Sequence, residues 1–259
     1  MATQAVSGET KIDIGRVIQR GFQTLGRQAG VLAVLALLLT AVPAIVMGLV
    51  LGRTLAAATT NSSASLAMVM SPGYWATILV GVICSALLQG SVVRASILDL
   101  RGERVDITSN LVEALKLLLP LIGLSILTSV IVGIGLVLLV VPGIIAILVL
   151  VVSVPVLMSE RLGVVGSMSR SRELTKGSRG RIFLLLLIFC VIYIAVAMVT
   201  AFVLTPMMLT GSIIVGLVAQ SVISAIVNLL GAVMVASLYV ELRMVKEGVS
   251  EQGLAAIFS

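Results

Sequence analysis

Between Glu160 and Arg181 the chain reads ERLGVVGSMSRSRELTKGSRGR, its one chemically dense stretch. Arg161, Arg170, Arg172, Lys176, Arg179 and Arg181 stand there against Glu160 and Glu173. Guanidinium groups grip phosphate oxygens through two parallel hydrogen bonds. Clustered Arg and Lys beside a membrane also attract anionic headgroups, each cation contributing about 1 kcal/mol near the surface. Arg170, Arg172, Lys176, Arg179 and Arg181 are therefore candidates for a lipid or phosphate site. A plainer reading competes: the cluster sets topology, and Glu173 pairs with Arg170 or Lys176 at helical spacing. On sequence grounds both readings stay open.

The usual materials of catalysis are missing elsewhere. The chain has no His, which removes Ser-His-Asp triads, the zinc-binding His-Glu-x-x-His helix and imidazole proton relays together. Cys84 and Cys190 fall inside apolar runs, where small buried thiols are expected and not a disulfide. No Asp, Glu, Lys or Arg occupies the middle of an apolar run, which counts against a coupled transporter or an ion channel. Among uncharged polar residues, the carboxamides Gln89, Gln220 and Asn228 lie within the runs. They can bond between helices, or form a modest polar site for an apolar or lipid-like solute. No enzyme, metal or cofactor is expected.

These residues are set in a strongly apolar chain. Of 259 residues, 59% are hydrophobic and only 11% charged, with a mean hydropathy of +1.24. Ordinary soluble domains are about 45–50% apolar and about 25% charged, so lipid is the solvent that fits. The net charge of +6 does not indicate nucleic acid, because the cations are dispersed among apolar runs and nine aromatics offer little to stack on bases. The first thirty residues carry Lys11, Arg16, Arg20 and Arg27 with no short apolar core before a cleavage site. The first apolar run is thus expected to remain as an anchor.

The runs define the elements. Val31–Leu51, Tyr74–Leu98, Leu117–Met158, Ile182–Pro206 and Ser212–Val240 are 21, 25, 42, 25 and 29 residues long. About 20 residues span a hydrocarbon core of roughly 30 Å, so the 42-residue run holds two crossings. Val141-Pro142-Gly143 is the expected turn between them, since Pro-Gly marks turns. The expectation is an all-α integral membrane protein with six transmembrane helices, at about 31–51, 74–98, 117–141, 143–158, 182–206 and 212–240. One membrane domain covers 12–246, between a tail at 1–11 and a tail at 247–259. With the N-terminus inside, 16 of 17 basic residues and all eleven acids fall on the cytoplasmic side, leaving Arg53 outside. That is the distribution the positive-inside rule demands. The outer side holds a polar loop, Thr59-Thr60-Asn61-Ser62-Ser63, and a Thr210-Gly211 turn.

Each pair of spans is preceded by a short amphipathic segment. Ile14, Ile18, Phe22 and Leu25 form a helical stripe, and a shift of 93 residues brings Ile107, Leu111, Leu115 and Leu118 into the same pattern. Asp13 and Asp106 precede the two stripes as N-cap candidates. A further shift of 57 takes Ala114 to Ser171 and Gly123 to Gly180. The pattern suggests three cytoplasmic interfacial helices, each leading a transmembrane hairpin. Chance similarity in a Leu/Val/Ala/Gly-rich chain is the alternative.

A family resemblance rests on ordered residues: Val141-Pro142-Gly143-Ile144-Ile145, a span ending in Pro155 and Glu160-Arg161-Leu162-Gly163, then Ser169-Arg170-Ser171-Arg172-Glu173-Leu174-Thr175-Lys176-Gly177 with Arg181 leading into the next span. This order resembles the YciC-like bacterial inner-membrane proteins and the membrane domain attached to some glycerophosphoryl diester phosphodiesterases. The resemblance implies six spans, a bacterial inner membrane and a structural role for Pro142, Gly143, Glu160, Glu173 and Gly177. It implies no catalytic residues, because in those enzymes the active site belongs to a soluble domain that has no counterpart in this sequence. The expected function is a non-enzymatic scaffold or accessory component with both termini cytoplasmic. Its partners would be anionic lipid headgroups, or a protein: a second copy of the chain or another membrane protein. The alternative is a transporter or channel for an apolar or lipid-like solute.

Overall fold

A computed structural model describes residues 12–45, 47–48, 70–100, 106–209 and 213–248. Every regular element among them is helical. They are α1 (Ile14–Arg27), α2 (Ala29–Ile45), α3 (Pro72–Leu100), α4 (Ile107–Lys116), α5 (Leu118–Leu138), α6 (Val140–Leu150), α7 (Ser153–Glu160), α8 (Gly163–Thr175), α9 (Arg179–Leu209) and α10 (Ile213–Glu247). Five stretches are long and apolar enough to cross a membrane: Pro72–Ser96, Leu118–Leu138, Val140–Glu160, Arg179–Leu204 and Val215–Glu247. The α1–α2 pair, bent by 89°, brings the number to six if the pair counts as one span. The polar loop near Asn61, Arg53, the Thr210-Gly211 turn and both tails through Lys11 and beyond Gly248 lie outside the described residues.

The short helices start where the sequence signals them. Asp13 accepts hydrogen bonds from the Gly15 and Arg16 amides, and Asp106 accepts one from the Ser109 amide at 2.8 Å. Each satisfies backbone donors that a helix start leaves orphaned. Their buried faces also coincide under the sequence shifts: Val17 and Gly21 in α1, Asn110 and Ala114 in α4, Ser167 and Ser171 in α8. The apolar stripes sit at the edge of these faces, so Phe22 and Leu115 are exposed while Ile18 and Leu111 are half-buried. Packing is made through small and polar residues, and the stripe looks partly outward.

The 42-residue run divides differently from expectation. The break falls at Leu139, whose extended backbone (φ −160°, ψ 140°) separates α5 from α6. Pro142 and Gly143 lie inside the first turn of α6, where a proline's missing N–H has no helical partner to lose. Gly143 is needed for contact: a Cβ there would stand 2.5 Å from Leu136 Cγ and 2.8 Å from its amide nitrogen. The second crossing is consequently longer than 143–158, reaching Glu160, and is interrupted at Val151–Val152. Pro155 accounts for the interruption, because its ring collides with the carbonyl four residues earlier, that of Val151. The Val149 carbonyl beside the gap accepts the Ser171 hydroxyl at 2.6 Å. In α2 a π-helical segment, Leu37–Ala41, precedes Pro43 in the same manner.

α10 is the central helix, packing on α1, α2, α3 and α9. Its small residues Ser221, Ala225, Ala232 and Ala236 are all buried, as close helix packing requires. Leu32, Leu35, Leu88, Val92 and Leu229 form one core around it, and Val152, Val156, Leu185, Leu238 and Leu242 another. Both thiols are free, and Cys190 is exposed on α9 rather than buried as expected.

Candidate functional site

The ionic residues belong to helix ends that meet one another. Glu160 ends α7, Arg170 and Glu173 lie on α8, and Tyr239, Arg243 and Glu247 lie on the last three turns of α10. Side chains from these three helices close a ring. The Tyr239 hydroxyl donates to Glu160 Oε1 at 3.0 Å, and Arg170 Nε donates to Glu160 Oε2 at 3.1 Å. Arg170 Nη2 donates to Glu247, which also accepts from Arg243 Nε at 2.9 Å. Arg243 Nη1 returns to the Tyr239 hydroxyl at 3.3 Å. Two guanidiniums and two carboxylates leave the ring neutral. Burial acts to lower the Arg170 pKa, but Glu160 and Glu247 outweigh it and the net shift is upward.

The neighbouring ionic contacts are of the same kind. Glu241, 1% exposed, holds Arg20 at 3.1 Å and Arg16 at 3.4 Å, joining α1 to α10. Glu113 holds Arg161 at 3.1 Å and Arg94 at 3.4 Å. Asp99 accepts from Thr24 at 3.3 Å and faces Arg27. Arg161 takes up a left-handed backbone (φ 52°) as it caps α7.

Among the candidate cations, the structure separates roles. Arg170 is enclosed by Glu160, Glu173 (3.5 Å) and Glu247. Arg181 donates to the Ile12 carbonyl, tying α9 to the start of α1. Arg172 and Lys176 are exposed, four residues apart on α8 and its C-cap, and have no ion pair among the described residues. Arg179 Nε has no hydrogen-bond partner. Gly177 adopts φ +85°, a backbone that glycine takes without strain. The turn brings it toward α10, where Lys246 Nζ is 3.8 Å from the site of a Gly177 Cβ. Lys246 thus approaches the turn that follows Lys176, with Arg172 four residues earlier on α8, and all three are exposed.

The uncharged candidates also part company. Gln89 and Asn228 line one groove of about 470 Å³. Gln220 is exposed on α10 and does not line it; it lies eight residues from Asn228, about 12 Å along the axis at 1.5 Å per residue. Sequence reading overlooked Tyr239, Glu241 and Arg243, which are at least 94% buried. The available signal was that α10's pattern of small and apolar residues continues past Val240 to Met244. It also overlooked Asn110, fully buried, whose amide donates to the Ser91 carbonyl and fastens α4 to α3.

Among the described residues no group of three or more His, Cys, Asp or Glu side chains is placed to hold a metal ion. In comparisons with known proteins, the chain matches no family model, no curated protein and no solved structure.

Proposed function

We propose that this chain is a six-span, non-enzymatic membrane component of the bacterial inner membrane with both termini cytoplasmic. Its cytoplasmic face would hold anionic lipid headgroups through Arg172, Lys176 and Lys246. The observation that carries the reading is the division among the cations: carboxylates and a backbone carbonyl occupy Arg170 and Arg181, whereas Arg172 and Lys176 are exposed without an ion pair among the described residues. Cations with no protein partner are those a phosphate can engage without first breaking a salt bridge. The resemblance to YciC-like membrane proteins agrees with this architecture. The shared buried register of α1, α4 and α8 supports a threefold unit of interfacial helix plus hairpin.

The test is lipid retention by the full chain in nanodiscs of phosphatidylcholine mixed with phosphatidylglycerol or cardiolipin. Three cations at about 1 kcal/mol each predict a roughly 100-fold loss of anionic-lipid affinity in the combined Arg172→Ala, Lys176→Ala, Lys246→Ala variant. Retention equal to the parent's would refute the patch.

A further inference from the structure

Two cavities open among the spanning helices, and they share a wall. One, of about 590 Å³, lies among α3, α5, α6 and α7 and is lined in part by Ser125, Thr128, Ser129 and Ser153. The other is the 470 Å³ groove among α1, α2, α3, α7, α9 and α10, apolar except for a few groups that include Thr40 and Asn228. Both volumes fall in the range of about 300–1,000 Å³ typical of small-molecule sites. Ser85, Gln89 and Val154 line both cavities, and no charged side chain lines either.

Ser85, Ser125 and Thr40 donate to carbonyls of their own helices, but other polar groups of the linings have no protein partner. Ser153 is 1% exposed and its hydroxyl has no hydrogen-bond partner. The carboxamides of Gln89 and Asn228 make no hydrogen bond among the described residues. Within a membrane such groups are costly unless something bonds to them. The backbone is irregular beside them: the gap in the second crossing contributes Val151, the first turn of α7 that follows it contributes Ser153 and Val154, and the π segment of α2 contributes Thr40. Non-helical backbone at membrane depth is tolerated where it is buried or lines a cavity, and broken helices form the binding sites of many transporters.

We propose that the two cavities, which meet at Ser85, Gln89 and Val154, together bind a neutral glycerolipid, of which diacylglycerol is the simplest. Its hydroxyl and ester oxygens would meet Ser153 and Gln89, and an acyl chain would lie along the groove past Asn228. The absence of charge along both linings disfavours a phosphate, which would be stranded there without a cation. The unpartnered hydroxyl and amides disfavour a plain hydrocarbon. Ser153 is seven residues from Glu160, about 10 Å below the ionic layer at 1.5 Å per residue, a depth suited to a small head that carries no charge. This site does not depend on the basic patch.

The experiment uses the full chain in phosphatidylcholine nanodiscs with a photoreactive diacylglycerol. Saturable labelling is expected on peptides of α3, α7 and α10. Gln89→Leu and Ser153→Val should each lower it about five- to tenfold, while the triple substitution in the basic patch leaves it unchanged. A photoreactive alkane without oxygens is the control for folding, and its labelling should be indifferent to Ser153→Val. Non-saturable labelling would overturn the proposal, as would labelling that neither variant alters. Competition by phosphatidylglycerol as effective as that by diacylglycerol would also overturn it. So would a cross-link through the groove to a second copy of the chain.

Discussion

Glu241 shows how much one side chain carries here. It sits near the C-terminal end of α10, buried to 1% exposure, and holds two arginines of α1 and the Asp13 amide. Removing one partner of a buried ion pair leaves the other charge uncompensated, which costs about 3–5 kcal/mol. Glu241→Ala is therefore expected to lower unfolding free energy by about that amount, measured by denaturing-detergent titration. Exposed Glu173→Ala, 66% exposed at its side chain, should cost under about 1 kcal/mol. Tyr239→Phe tests the ring: it deletes the donor to Glu160 and the acceptor for Arg243. Leaving those groups short predicts a loss of about 1–3 kcal/mol in the same titration. A loss near zero would mean that water replaces the hydroxyl.

Elements are where local signals and packing can be compared. The capping aspartates were legible because an N-cap needs only a side-chain oxygen and the next two or three amides. Pro142-Gly143 misled, since the same dipeptide suits a turn and the first turn of a helix; what decides is the contact of Gly143 with Leu136 across the hairpin. Gly143→Val should force α5 and α6 apart and cost about 1–3 kcal/mol. Loss of the compact α5–α6 hairpin would be read as faster proteolysis between Leu138 and Val140 in detergent. Ser171→Ala should expose the opposite dependence, because the Val149 carbonyl beside the helix gap then lacks its donor. A cost of about 1–2 kcal/mol is expected. Val149 and Ser171 are 22 residues apart, and nothing in the spacing announces that they meet.

At the scale of the whole molecule, the distribution of charge along the sequence predicts the orientation. A reporter fused after Ser259 is expected to read cytoplasmic, and a cysteine placed at Arg53 to react with an impermeant thiol reagent from outside. A periplasmic reporter at Ser259 would overturn the six-span reading with both ends inside. Lipid as solvent, the existence and approximate bounds of the helices, and the collection of charge at helix ends all follow from the sequence alone. They depend on transfer free energies and short-range periodicity, which each segment carries in its own residues. Tertiary structure alone decided that Arg170 and Arg181 are committed internally while Arg172 and Lys176 are not. It alone brought Gln89 and Asn228 to one groove without Gln220, and left the Ser153 hydroxyl of the neighbouring cavity without a partner. Those outcomes hang on the rotation and crossing of helices far apart in the chain, where a turn of a few tens of degrees exchanges a buried side chain for one that faces lipid.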